Sequence, residues 1–163
     1  MNTLTRLLLL ALGAVLATAP VSARPTELKP EFVATLLRAY LEIQTALAAD
    51  DLSAARLAAE SLLASAAKAP ELTSLTAPVK NIAHAADLAS ARKSFLAASH
   101  EMIRLVETPG VPGGEKLYLA HCPMAFGGTG GDWLQSDKTV NNPYYGSRML
   151  RCGTVKPVAR HSQ

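Results

Sequence analysis

Four sulfur atoms sit in two short stretches near the end of this chain. "HCPM" carries Cys122 and Met124, and "MLRC" carries Met149 and Cys152. These are the only two cysteines and two of only four methionines. In an extended strand, residues two apart point to the same side, so Cys122 and Met124 are expected to project together. Met149 and Cys152 lie three apart and share a face on a helical turn. Two thiolates with two thioethers make a soft donor set, suited to Cu(I) or Ag(I) over hard cations. His121 is a candidate imidazole ligand, although strand alternation directs it away from Cys122. A second chemistry is open to the same residues. Two cysteines about 30 residues apart in an exported domain commonly form a disulfide, worth roughly 3.5 kcal/mol by the chain-entropy argument, with the methionines as core filler. Spacing alone leaves both readings standing.

The compartment bears on the choice. The N-terminus reads "MNTLTRLLLLALGAVLATAPVSA": one basic residue, Arg6, then an apolar run, then small residues ending Val21-Ser22-Ala23. That is the layout of a secretory signal peptide over residues 1–23, with cleavage expected after Ala23. The apolar run, Leu7 to Ala17, is well short of the ~20 residues of a membrane span, and nothing later approaches one. A periplasmic or secreted protein without a membrane span after cleavage is the expectation. The remaining chain, about 140 residues, suffices for one domain with a single core.

The full chain has 16 basic and 13 acidic residues. Arg6 leaves with the signal peptide, and the remaining charges are scattered singly. With few aromatics, and none interleaved with Lys or Arg, the composition argues against nucleic-acid binding. There is no Cys-x-x-Cys-His for haem and no Cys-x-x-Cys for thioredoxin-like exchange. "FGGTGG" is not followed by the Lys-Ser/Thr of a phosphate loop. No serine stands in a nucleophile elbow, and no enzyme is expected.

The sulfur segments must be positioned by what precedes them. From Pro30 to about Glu107 the chain is rich in Ala and Leu and reads as helix. Pro30 suits a first helical position, and Phe32, Val33, Leu36, Leu37, Tyr40, Leu41 and Leu47 form one apolar stripe. The Asp50-Asp51 pair interrupts it, with an aspartate to cap a second helix from Leu52 to about Lys68. Pro78 is expected to open a short third helix, and Asp87 to cap a fourth carrying Leu88, Ala91, Phe95, Met102 and Leu105. The fold class expected is mainly α: an antiparallel four-helix up-and-down bundle over 24–107, with a C-terminal irregular or short-strand segment packed on it. "TPGVPGGEK" marks a Pro/Gly linker at 108–115. The Cys/Met segment spans 116–153, with strands expected within Lys116–Ala125 and Asp132–Gln135 and a turn at Asn142-Pro143. Gly146 and Gly153 are expected at backbone positions with positive φ. Residues 154–163 read as a flexible tail.

Taken jointly, "LYLAHCPMA", "DWLQ", "NNPYYGSRMLRCG" and "ADLASARKSFLAASHEM" resemble a bacterial periplasmic domain family of unknown function. The resemblance runs from about Leu36 to Gly153. That family has a four-helix region followed by Cys-Pro-Met, Trp-Leu, Asn-Pro-Tyr-aromatic-Gly and Met-x-x-Cys-Gly. Tyr145 stands where phenylalanine is also common. The domain occurs alone after a signal peptide or fused to adaptor subunits of heavy-metal efflux systems. The resemblance implies a non-enzymatic role in handling a heavy metal, copper above all, as storage or as delivery to an efflux adaptor or exporter. It places Cys122, Met124, Met149 and Cys152 at the matching motif positions, with His121 adjacent. The alternative is a helical-bundle interaction module stapled permanently by Cys122–Cys152.

Overall fold

The computed structural model describes residues 28–107 and 116–158. The expected signal peptide, the expected Pro/Gly linker and the last five residues lie outside these. The described chain is mainly helical, with four long helices, one short one and a small three-stranded antiparallel sheet.

Helix α1, Pro30–Ala48, starts at the proline that the sequence singled out. Its buried side includes Val33, Leu36, Leu37, Tyr40, Ile43 and Leu47. Helix α2, Leu52–Ala66, is capped by Asp51, whose carboxylate accepts the Ala54 N–H at 2.9 Å. Helix α4, Leu88–Glu107, follows Asp87, which accepts the Ser90 N–H at 2.7 Å. Capping of this kind is encoded within four residues, and for that reason the sequence reads it well.

Helix α3 corrects the expectation. It spans Thr73–Ala83, and Pro78 lies inside it instead of opening it. An internal proline removes one backbone hydrogen bond and costs about 3 kcal/mol against alanine. Leu75, Val79 and Ile82 are all buried on one stripe at i, i+4 and i+7. Burying Leu75 requires the turn before the proline to be helical, and apolar burial at about 1.5–3 kcal/mol per large side chain offsets the penalty. Each helix packs on the next, and α4 returns to α1.

Strand β1, Tyr118–Cys122, lies between β2, Gly131–Gln135, and β3, Thr154–Pro157, antiparallel to both. Residues 154–157, expected to be part of a flexible tail, are therefore a sheet strand. "TVKP" has too few residues and too little apolar character for a local strand signal, and its pairing with Tyr118–His121 is set by the fold. Strand β1 is also shorter than the Lys116–Ala125 stretch that suggested it. Between β1 and β2 the chain makes one distorted helical turn, α5, Ala125–Gly128, in which Phe126 takes φ +53°.

The sheet packs on α4 and α1 through β2. Tyr40 carries that junction. Its ring stacks on Phe95 of α4 at 5.0 Å between centroids. Its hydroxyl lies 2.7 Å from the Ser99 hydroxyl and accepts the Leu134 N–H of β2 at 3.1 Å. Complete burial pushes this phenol well above its ordinary range, so it is neutral at any physiological pH. Removing the oxygen takes this partner from the Ser99 hydroxyl and the Leu134 N–H. Tyr40→Phe is therefore expected to lower the unfolding free energy by about 1–3 kcal/mol, read from urea denaturation. A change inside experimental error would show that the hydroxyl does not join the helices to the sheet.

Candidate functional site

Both cysteines are free thiols, and their sulfurs lie 3.2 Å apart. Cys122 ends β1, paired with Gly131 across the ladder, and is fully buried on the helix-facing side with Tyr118 and Ala120. His121, one residue earlier, faces the other way. It is exposed, and its Nδ1 lies 2.8 Å from the Asp132 carboxylate. The alternation that set His121 apart from Cys122 holds, so the imidazole and the thiols stand on opposite faces of the sheet.

The same alternation does not extend to Met124. β1 stops at Cys122, because Pro123 has no N–H to continue the ladder. Met124 then adopts φ −88°, ψ −10°, in the helical region, and is 53% exposed. Strand geometry therefore does not bring Cys122 and Met124 to one face. What ties Met124 to the second sulfur segment is Tyr145, whose hydroxyl donates to the Met124 carbonyl at 2.6 Å. Met149 and Cys152 are joined by a turn, not a helix. The Cys152 N–H donates to the Met149 carbonyl at 3.0 Å, after a single 3-10 turn at Gly146–Arg148. Both residues are half-buried.

Asn142 builds the loop that presents Cys152. Its side-chain amide donates to the Cys152 carbonyl at 2.8 Å, and its side-chain oxygen accepts the Tyr144 N–H at 2.8 Å. Its own N–H donates to Leu150 O at 2.9 Å, and its carbonyl accepts from Gly146 N–H at 3.0 Å. One fully buried side chain thus closes the ten-residue excursion between Asn142 and Cys152. At the end of that excursion Gly153, at φ +136°, passes so close to β1 that a Cβ would lie 2.6 Å from the His121 carbonyl. Only glycine allows this approach, which delivers Cys152 to Cys122.

Aromatic rings wall the inner side. Tyr144 meets Trp133 edge-on at 5.5 Å and Phe126 at 5.1 Å, and it reaches Phe95 of α4 at 6.0 Å. Trp133 is fully buried, its indole N–H held by Gln135 at 3.0 Å. Gln135 in turn donates to the carbonyls of Asp137 and Thr139, which shapes the path toward Asn142.

The whole loop is fastened to the helices by Arg92 and Asp50. Arg92 of α4 donates through Nε to the Pro143 carbonyl at 2.8 Å, through a terminal nitrogen to Leu47 O at 2.9 Å, and to the Asp50 carboxylate. Asp50, at φ +60°, accepts the Ser147 N–H at 3.0 Å with its second oxygen. Gly146 is at φ +59°, and a Cβ there would overlap the Asp50 carboxylate. From sequence the Asp50-Asp51 pair reads as a break in the apolar stripe that can cap the next helix, and the clasp with Arg92 is not among the expectations. One signal existed: Arg92 lies three residues before Phe95, on the apolar face of α4, where an arginine needs a partner.

Among the described residues, no three His, Cys, Asp or Glu side chains converge in the manner of a metal site. A family described as a protein of unknown function (DUF3347) matches residues 36–113. The match takes in most of α1 and all of α2 to α4, and ends before the sulfur segments begin. No curated protein and no solved structure matches the chain.

Asp50 offers a pH test of the fastening. Hydrogen bonds from the Ser147 side chain, the Arg92 guanidinium and the Ser147 N–H lower its pKa to about 2, from an ordinary 3.8. A carboxylate acidified by folding stabilises the fold above its unfolded pKa, and that stabilisation is lost as pH falls toward the folded value. Asn tolerates positive φ, so Asp50→Asn removes the charge without new backbone strain. The variant is expected to be less stable than the parent by about 1 kcal/mol at neutral pH, allowing for solvent screening. That gap should shrink between about pH 4 and pH 2 in a series of urea titrations. A gap of equal size at both ends would show that the charge does not hold the loop.

Proposed function

We propose that this is a non-enzymatic, periplasmic or secreted protein that binds Cu(I) through sulfur, for storage or for delivery to a heavy-metal efflux adaptor or exporter. In this reading residues 1–23 are a signal peptide cleaved after Ala23. The four long helices serve as an up-and-down bundle that carries the sulfur loops at one end. The ligands are Cys122 and Cys152, joined by Met124 and Met149.

The observation that carries the reading is the approach of the two cysteine sulfurs to 3.2 Å. The donor chemistry fits a soft ion, since two thiolates and two thioethers favour Cu(I). The spacing fits with a small adjustment. Two metal–sulfur bonds of about 2.3 Å at a tetrahedral angle hold sulfurs about 3.8 Å apart, so the pair would spread by roughly 0.6 Å. Met124 is exposed and Met149 half-buried, so neither thioether is committed to the core. His121 fits less well, because it faces away from the thiols and its Nδ1 is engaged by Asp132. The resemblance to domains fused to efflux adaptors supports the choice of metal and partner.

Replacing Met124 and Met149 together by leucine keeps volume and apolar character, and such swaps usually cost less than about 1.5 kcal/mol of stability. Titration of the reduced mature protein with Cu(I), against a competing chelator, is expected to show at least about a tenfold loss of affinity in the double variant. Each tenfold step is about 1.4 kcal/mol. Cys122→Ser should lose more, because it removes a thiolate. A double variant that binds as tightly as the parent would remove the methionines from the site.

A further inference from the structure

The two sulfurs of the pair stand in unlike surroundings. Cys122 is 0% exposed, enclosed at the inner end of β1 beside the buried rings of Trp133 and Tyr144. Cys152 lies in the turn after Met149 and is half-buried. A reagent from solvent therefore meets Cys152 first. The backbones on both sides are held. Cys122 sits in the β1–β2 ladder, and Cys152 is fixed by the Asn142 amide and by the Gly153 approach to His121. From 3.2 Å, bond formation requires the sulfurs to close by about 1.2 Å, a distance that side-chain rotation can supply.

We propose that the pair reacts with low-molecular-weight disulfides of the glutathione type in a fixed order, with Cys152 as the entry thiol and Cys122 as the resolving thiol. In the first step the Cys152 thiolate attacks one sulfur of the small disulfide. The disulfide bond breaks, one thiolate leaves and takes up a proton, and a mixed disulfide remains on Cys152. In the second step Cys122 gives up its proton and attacks the Cys152 sulfur, and the second small thiol is expelled. The protein loses two electrons and two protons, the small disulfide gains both, and a Cys122–Cys152 bond remains. Exchange proceeds by attack of a thiolate through such a mixed intermediate, and thiolate fraction and access together govern its rate. The neighbouring Cys122 thiol raises the pKa of Cys152, so the lead of Cys152 comes from its exposure. The inference does not rest on the Cu(I) reading, because it needs only the two thiols and their exposure. It bears on that reading, since the oxidised pair has no thiolates to offer a soft cation.

The test uses the reduced mature protein with excess glutathione disulfide and a metal chelator, quenched with acid over time and read by intact mass. The parent is expected to pass to a form lighter by two hydrogens without accumulating a glutathione adduct. Cys122→Ser should accumulate a stable single adduct. Cys152→Ser should be modified at least about tenfold more slowly, because its remaining thiol is enclosed. Equal rates in the two variants, or a parent that stops at the adduct, would overturn the order. If a variant loses its far-UV circular dichroism, the native parent is labelled instead with less than one equivalent of N-ethylmaleimide and mapped by peptide mass. Label on Cys152 supports the proposal, and label first on Cys122 contradicts it. Because no metal is present, failure here is distinct from failure to bind copper.

Discussion

The guanidinium of Arg92 is the point on which the arrangement of this protein turns. It sits on α4, with its side chain 13% exposed, and it ties three pieces of chain together at one point. One is the end of α1, through Leu47 O. Another is the sharp turn at Asp50, and the third is the C-terminal loop, through Pro143 O. A buried arginine of this kind is tolerated only when its donors are matched, since an unpaired charge there costs several kcal/mol. The matching is close here, because Asp50 takes up the charge and then uses its second oxygen on Ser147. Positive φ at Asp50 is the conformational cost of bringing those groups into line, and glycine at 146 supplies the facing turn without strain.

From that fastening the rest follows outward. Once Pro143 and Ser147 are held, Asn142 can close its loop on Cys152 from inside, and Tyr145 can reach across to Met124. The ring series Tyr40, Phe95, Tyr144 and Trp133 runs from the helices into the sheet and fills the space beneath the sulfurs. The burial of Cys122 and the partial exposure of Cys152 are thus consequences of where a loop is anchored. The chemistry of the thiols depends on contacts tens of residues away in sequence.

How much of this could be read beforehand depended on the range of the interaction. The starts of α1, α2 and α4 are written in Pro30, Asp51 and Asp87, each acting within one turn, and they were legible. The start of α3 was not, because the burial of Leu75 against other helices decides it over the local vote of Pro78. The β3 strand was invisible for the same reason, since "TVKP" becomes a strand only beside Tyr118–His121. In the site, the pairing of Cys122 with Cys152 and the opposite facing of His121 were accessible from spacing and alternation. The position of Met124 was misjudged because Pro123 ends the strand that the alternation argument assumed. Asp50 and Arg92 went unread because they act between segments, and a single sequence carries little trace of such pairs.

The central claim is that the two loops make one sulfur site for a soft cation. The most direct measurement is X-ray absorption at the copper edge on the reduced mature protein loaded with one equivalent of Cu(I). The account predicts a first shell of sulfur alone, at about 2.3 Å, the usual metal–thiolate distance. A first shell dominated by nitrogen or oxygen would place the metal elsewhere on the protein and contradict the account.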